Sequence, residues 1–98
     1  TRYEYEGSDN SPNIYMKMGC DSQDTWIYKS PANINDVEID FHLGTPGCDN
    51  RIAYEMSKNY KVINPSLSVK TYHMHSSKYR TYDVSNRIDG PYLQVHIR

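Results

Sequence analysis

Three stretches of this chain hold residues whose types and spacing fit chemistry. The first is H-M-H at 73 to 75. Residues two apart on a strand share a face, so His73 and His75 could reach one ligand or one ion, and imidazole suits Mn, Zn and Fe. The plainer reading is a solvated or hydrogen-bonded pair of histidines. The second is G-T-P-G-C-D-N at 44 to 50, with the amphipathic R-I-A-Y-E-M-S-K directly after it. Asp49 or Asn50 there can cap a helix by accepting from its free N–H groups. Alternatively, the turn holds the Asp49 carboxylate toward a cleft as a general base, a role that needs reach and orientation more than any neighbour sequence. The third is D-S-Q-D-T-W at 21 to 26. Gln23 and Asp24 beside Trp26 could form a sugar-binding wall, with carboxylate and amide for hydroxyls and indole for the apolar ring face. A polar turn before a core tryptophan explains the same letters. Arg80, further along, faces either a phosphate or water.

These residues must be positioned by a small set of elements. R-Y-E-Y-E at 2 to 6 and I-Y-M-K-M at 14 to 18 alternate with period 2 around a turn-rich G-S-D-N-S-P-N, which predicts a hairpin. D-T-W-I-Y-K at 24 to 29 predicts a short strand that stops before Pro31, and V-E-I-D-F-H-L at 37 to 43 carries the clearest strand alternation. From 49 to 58 the period changes to a helical one, with Ile52, Ala53 and Met56 inward and Arg51, Glu55 and Lys58 outward. Further strands are predicted in Y-K-V-I-N-P, in S-V-K-T-Y-H-M-H at 68 to 75, and after Gly90-Pro91. The expected fold class is α+β, a small mixed sheet with one main helix.

Length and composition narrow the setting. The chain has 98 residues, which suits a single small domain spanning 1–98, and ten of its twelve aromatics are tyrosine. With eleven basic and twelve acidic residues the net charge is -1, and no basic patch indicates nucleic acid or an anionic membrane as partner. No stretch approaches the ~20 apolar residues of a membrane span. Cys20 and Cys48 are far apart and fit neither a disulfide framework nor a zinc-finger spacing, so a reducing, cytoplasmic setting is expected. The first residue is Thr1 rather than methionine, which suggests a fragment of a longer chain.

Taken in order, S-Q-D-T-W-I-Y, D-F-H-L-G-T-P-G-C-D-N-R-I-A-Y-E-M, Y-K-V-I-N-P-S-L-S-V-K-T-Y-H-M-H-S-S-K-Y-R-T-Y and R-I-D-G-P-Y resemble the C-terminal half of an uncharacterised group of GT-A-like glycosyltransferases. The resemblance spans roughly positions 19 to 93. It implies an acceptor-side domain that binds a carbohydrate acceptor, a nucleotide-sugar, or both, with Mn or Mg. Gly47, Cys48 and Asp49 would be the Gly-x-acid element, with Asp49 as catalytic base. His73 or His75 would complete the metal site, and Gln23, Asp24, Trp26, Asn50 and Arg80 would bind substrate. No D-x-D motif precedes the first hairpin, and no alternating βαβα run is present, so the chain is not expected to complete transfer alone. The rival expectation is a non-catalytic, tyrosine-rich α+β module for binding or for oligomerisation as a homodimer.

Overall fold

Alternation at the start of the chain does produce a hairpin. The structure, a computed structural model, describes residues 2–8, 11–17, 23, 25–73 and 83–98, with the backbone alone for 2–8, 11–17 and 73. Strand β1 (Arg2–Ser8) pairs antiparallel with β2 (Ser11–Lys17), in a register that runs from Arg2 opposite Lys17 to Ser8 opposite Ser11. Pairing therefore continues through Gly7 and Pro12, two residues whose types read as turn. Pro12 has no N–H to give a ladder, and β2 is an edge strand, where that loss is tolerated. A two-residue strand β3 (Tyr72–His73) lies parallel to β1 on its other side, giving the order β2-β1-β3.

The helix α1 covers Cys48–Ser57, within one residue of the predicted span. Its buried side is not the apolar one expected. Ala53 is buried while Ile52 and Met56 are half-buried, and Arg51 and Glu55, expected outside, are buried instead. A helix can bury such a pair when i, i+4 spacing brings opposite charges together and their remaining capacity goes to nearby backbone. A single turn of 3-10 helix follows at Val84–Asn86, where the Asp83 side chain accepts from the N–H of Ser85 at 2.9 Å.

The other predicted strands differ from what is observed. Residues 25–29 form no strand, and all are exposed. Residues 37–43 form none either, although their alternation is the cleanest in the chain. There the backbone donors are taken locally: Val37 N–H goes to Ile34, Phe41 N–H to Ile39, and Glu38 N–H to the Glu55 carboxylate. A strand needs a partner for its donors, and alternation does not supply one. Between Y-K-V-I-N-P and the end of the chain a single parallel bridge joins Asn64 to Ile97, supported by Arg98 N–H to Asn64 O at 2.9 Å and Asn64 Nδ2 to Val95 O at 3.0 Å.

Among the described residues the buried apolar set is Cys48 and Ala53, while Ile27, Leu43 and Val84 are 80%, 68% and 72% exposed. The radius of gyration is 14.9 Å, against about 13 Å for a compact chain of this length. No helix among the described residues is long and apolar enough to cross a membrane.

Candidate functional site

The turn before the helix sets the geometry. Gly47 sits at φ 88°, in the left-handed region, and its carbonyl accepts the N–H of Arg51 at 3.0 Å to start α1. A Cβ at this position would stand 3.1 Å from the carbonyl oxygen of Ile88 and 3.3 Å from the Tyr92 hydroxyl oxygen. The segment 88–93 therefore lies close against the helix start. Ile88 N–H donates to Pro46 O at 2.9 Å and Leu93 N–H to Asn50 O at 3.0 Å, while the Tyr92 hydroxyl donates to Ile88 O. The Arg87 guanidinium stands 5.6 Å from the centre of the Tyr92 ring, in cation–π range.

Gly47, at the N-cap, brings no side chain to cap the helix. Asp49, one residue inside it, turns its carboxylate to a distant segment: Oδ2 accepts the backbone N–H of Gln23 at 3.0 Å. Oδ1 accepts the Cys48 thiol at 3.4 Å. Burial, with the adjacent Asp49 carboxylate adding to it, pushes the Cys48 thiol up from 9.0, so the thiol keeps the proton it donates. Asn50, 5% exposed, accepts at Oδ1 from Gln23 Nε2 at 3.5 Å, and Gln23 Oε1 in turn accepts the indole N–H of Trp26 at 3.0 Å.

Four of the residues singled out in the sequence, Gln23, Trp26, Asp49 and Asn50, thus stand in one hydrogen-bonded group drawn from two separate stretches. Trp26 is 38% exposed and so is not a core tryptophan. An open indole beside amide and carboxylate groups can stack on the apolar face of a ring while its neighbours meet hydroxyls. Asp24, Arg80 and His75 lie outside the described residues, and His73 is placed by its backbone in β3 alone. Among the described residues, no three His, Cys, Asp or Glu side chains come together as metal ligands.

A second polar group, not foreseen from the sequence, is built on the buried side of α1. Glu55 is fully buried, with Lys58 Nζ 2.6 Å from Oε2, Arg51 Nη2 2.6 Å from Oε1, and the Glu38 N–H donating to Oε2 at 3.1 Å. The Arg51–Glu55 approach is an ion pair without hydrogen-bond alignment, and Arg51 Nε has no acceptor among the described residues. Arg51 Nη1 donates to the carbonyls of Asp89 at 3.1 Å and Gly90 at 2.6 Å, while Nη2 pairs with Glu38 at 3.1 Å. The Lys58 hydrogen bond holds the Glu55 carboxyl below its ordinary 4.5 against the opposing push of burial, and the same contact raises Lys58 above 10.5. Chemically this group is a frame. It binds helix, residue 38 and residues 89–90 together. The R-x-x-x-E spacing was its signal, but the same spacing also describes a solvated helix face.

Compared with known proteins, the chain matches no family model, no curated protein and no solved structure.

Proposed function

We propose that this chain is an acceptor-side domain of the GT-A-like glycosyltransferase type, binding a carbohydrate acceptor at Gln23, Trp26, Asn50 and Asp49, and that it does not transfer sugar alone. The observation that carries the reading is the junction of the S-Q-D-T-W stretch with the G-C-D-N helix start, which puts an open indole beside two amides and a carboxylate. In this reading Trp26 stacks on a sugar ring, Gln23 and Asn50 orient hydroxyls, and Asp49 is the carboxylate nearest the acceptor hydroxyl that must lose its proton. Asp24 and Arg80 lie outside the described residues and enter this reading through the family resemblance alone. The Mn or Mg that the family resemblance implies rests on His73 and His75, and it and the nucleotide-sugar enter only as components of the test.

Trp26 is the single tryptophan of the chain, so its emission reports directly on the site. Titration with glucose-, galactose- and mannose-based oligosaccharides, and with a nucleotide-sugar panel with and without Mn, should give a saturable change in emission and a raised melting temperature with at least one probe. Trp26→Ala should abolish the thermal response, and His73→Ala should remove any part that depends on Mn. A flat response in both measurements across the panel would reject the reading.

A second reading, a non-catalytic association module, is favoured by the small buried apolar set among the described residues and the exposed Ile27, Leu43 and Val84. It predicts association that grows with protein concentration.

A further inference from the structure

We infer that Asp49 is a latch: its carboxylate holds the exposed strap of residues 25–30 to the helix start, and so sets the position of Trp26 whatever ligand the site takes. The strap is tied at both ends. At its start, Gln23 gives its backbone N–H to Asp49 Oδ2 at 3.0 Å and its side-chain amide to Asn50 at 3.5 Å. Past its end, the Asn33 N–H donates to the Tyr60 hydroxyl oxygen, and Asn59 Nδ2 donates to the carbonyls of Asn33 at 3.2 Å and Asn35 at 2.8 Å. Between these ties, among the described residues, the indole bond from Trp26 to Gln23 is the sole hydrogen bond, and Ile27 and Tyr28 are 80% and 62% exposed.

Of the two ties at the start, the Asp49 bond at 3.0 Å is the stronger, because the Gln23–Asn50 contact at 3.5 Å stands at the limit of a hydrogen bond. Among the described residues, Trp26 makes no hydrogen bond of its own to the helix. Its link runs through Gln23, whose backbone Asp49 holds. Asp49 is therefore a positioning residue for the indole, a role that needs an acceptor oxygen and no negative charge. Asparagine can fill that role, and alanine cannot. A general base, in contrast, would be lost with either substitution.

The test needs no ligand, so its failure is separate from failure of the carbohydrate reading. Acrylamide quenching of Trp26 is measured with excitation at the red edge, where the ten tyrosines contribute little, alongside far-ultraviolet circular dichroism of the helix. Asp49→Ala should shift the balance of held to released strap by about tenfold toward release, read as stronger quenching and red-shifted emission with an unchanged helix signal. Asp49→Asn should stay close to the parent protein. Should Asp49→Ala lose its helix signal, Gln23→Pro and Gln23→Ala take its place. Both remove the side chain, but only proline also removes the backbone donor, so the latch predicts stronger quenching in Gln23→Pro than in Gln23→Ala. Equal quenching in the two Gln23 variants, unchanged quenching in Asp49→Ala, or an Asp49→Asn variant as released as Asp49→Ala would each overturn the inference.

Discussion

Glu55 is the residue on which the described part of the molecule converges, because it takes contacts from Arg51, Lys58 and the backbone of Glu38 at once. Glu55→Gln keeps the shape but removes the charge that both cations face. Loss of stability on the order of 2 kcal/mol is expected, read as a lower denaturant midpoint with an unchanged slope. The pH dependence has a definite sign. A carboxyl held below 4.5 in the folded state stabilises fully above that value and loses its contribution as pH falls through the folded value. Lys58, raised above 10.5, contributes below that value and loses its share as pH climbs through the folded one. The stability gap between parent and Glu55→Gln should therefore be widest at neutral pH and close in acid below 4.5, which paired urea titrations would check. Little of this was legible in the sequence. A charged pair at i, i+4 reads as solvent-facing by default, and only the packing of residues 38 and 89–90 against it, set by contacts distant in sequence, places it inside. The candidate site was more legible. Each of Gln23, Trp26, Asp49 and Asn50 stood out by type and neighbours, whereas the 3.0 Å bond between positions 23 and 49 has no period or spacing that could announce it.

Among elements, the helix was readable because its period is a property of ten adjacent residues. The hairpin was readable for a similar reason, since its partners are sequence neighbours. Segments 24–29 and 37–43 have strand-like composition, but a strand is a relation between two segments, and the described residues of neither find a ladder. The start of α1 gives an element-scale prediction through its two left-handed glycines. Gly44, at φ 85°, has nothing within 4 Å of a Cβ, so Gly44→Ala should bear the backbone cost alone, about 1–2 kcal/mol. Gly47→Ala meets a comparable backbone cost and also the Ile88 carbonyl at 3.1 Å, which must move. Gly47→Ala should be the more destabilising of the two, and by thermal melting the order of the two variants is the decisive observation. The reverse order would mean that the 88–93 segment does not press on the helix start.

For the whole molecule, the balance of buried and exposed surface matters most. A radius of gyration of 14.9 Å and exposed Ile27, Leu43, Ile63 and Leu67 leave much apolar area open to water, worth about 25 cal/mol for each Å² that association would cover. If the association reading holds, sedimentation velocity should show a dimer fraction that grows with concentration, and the melting temperature should rise with it. A monomer throughout, with a concentration-independent melt, would count against that reading and leave the carbohydrate reading untouched. A small buried apolar set among the described residues accords with composition, since 37% apolar residues spread over 98 positions leave few to bury. Which of them stay outside was not forecast, because that depends on which segments face one another.

The Arg51–Glu55 pair has a consequence for the history of the chain. Losing Arg51 leaves Glu55 with Lys58 as its cation and losing Glu55 leaves Arg51 with Glu38, so each single loss removes one close charge pair from a buried site, whereas exchanging both for apolar residues of similar volume is often close to neutral for such pairs. The other partners of Arg51, at Glu38, Asp89 and Gly90, are exposed and can return to water. The two positions should then be inherited as one unit: related chains would carry both charges or neither, with the single-charge intermediates scarce because they are the least fit to fold.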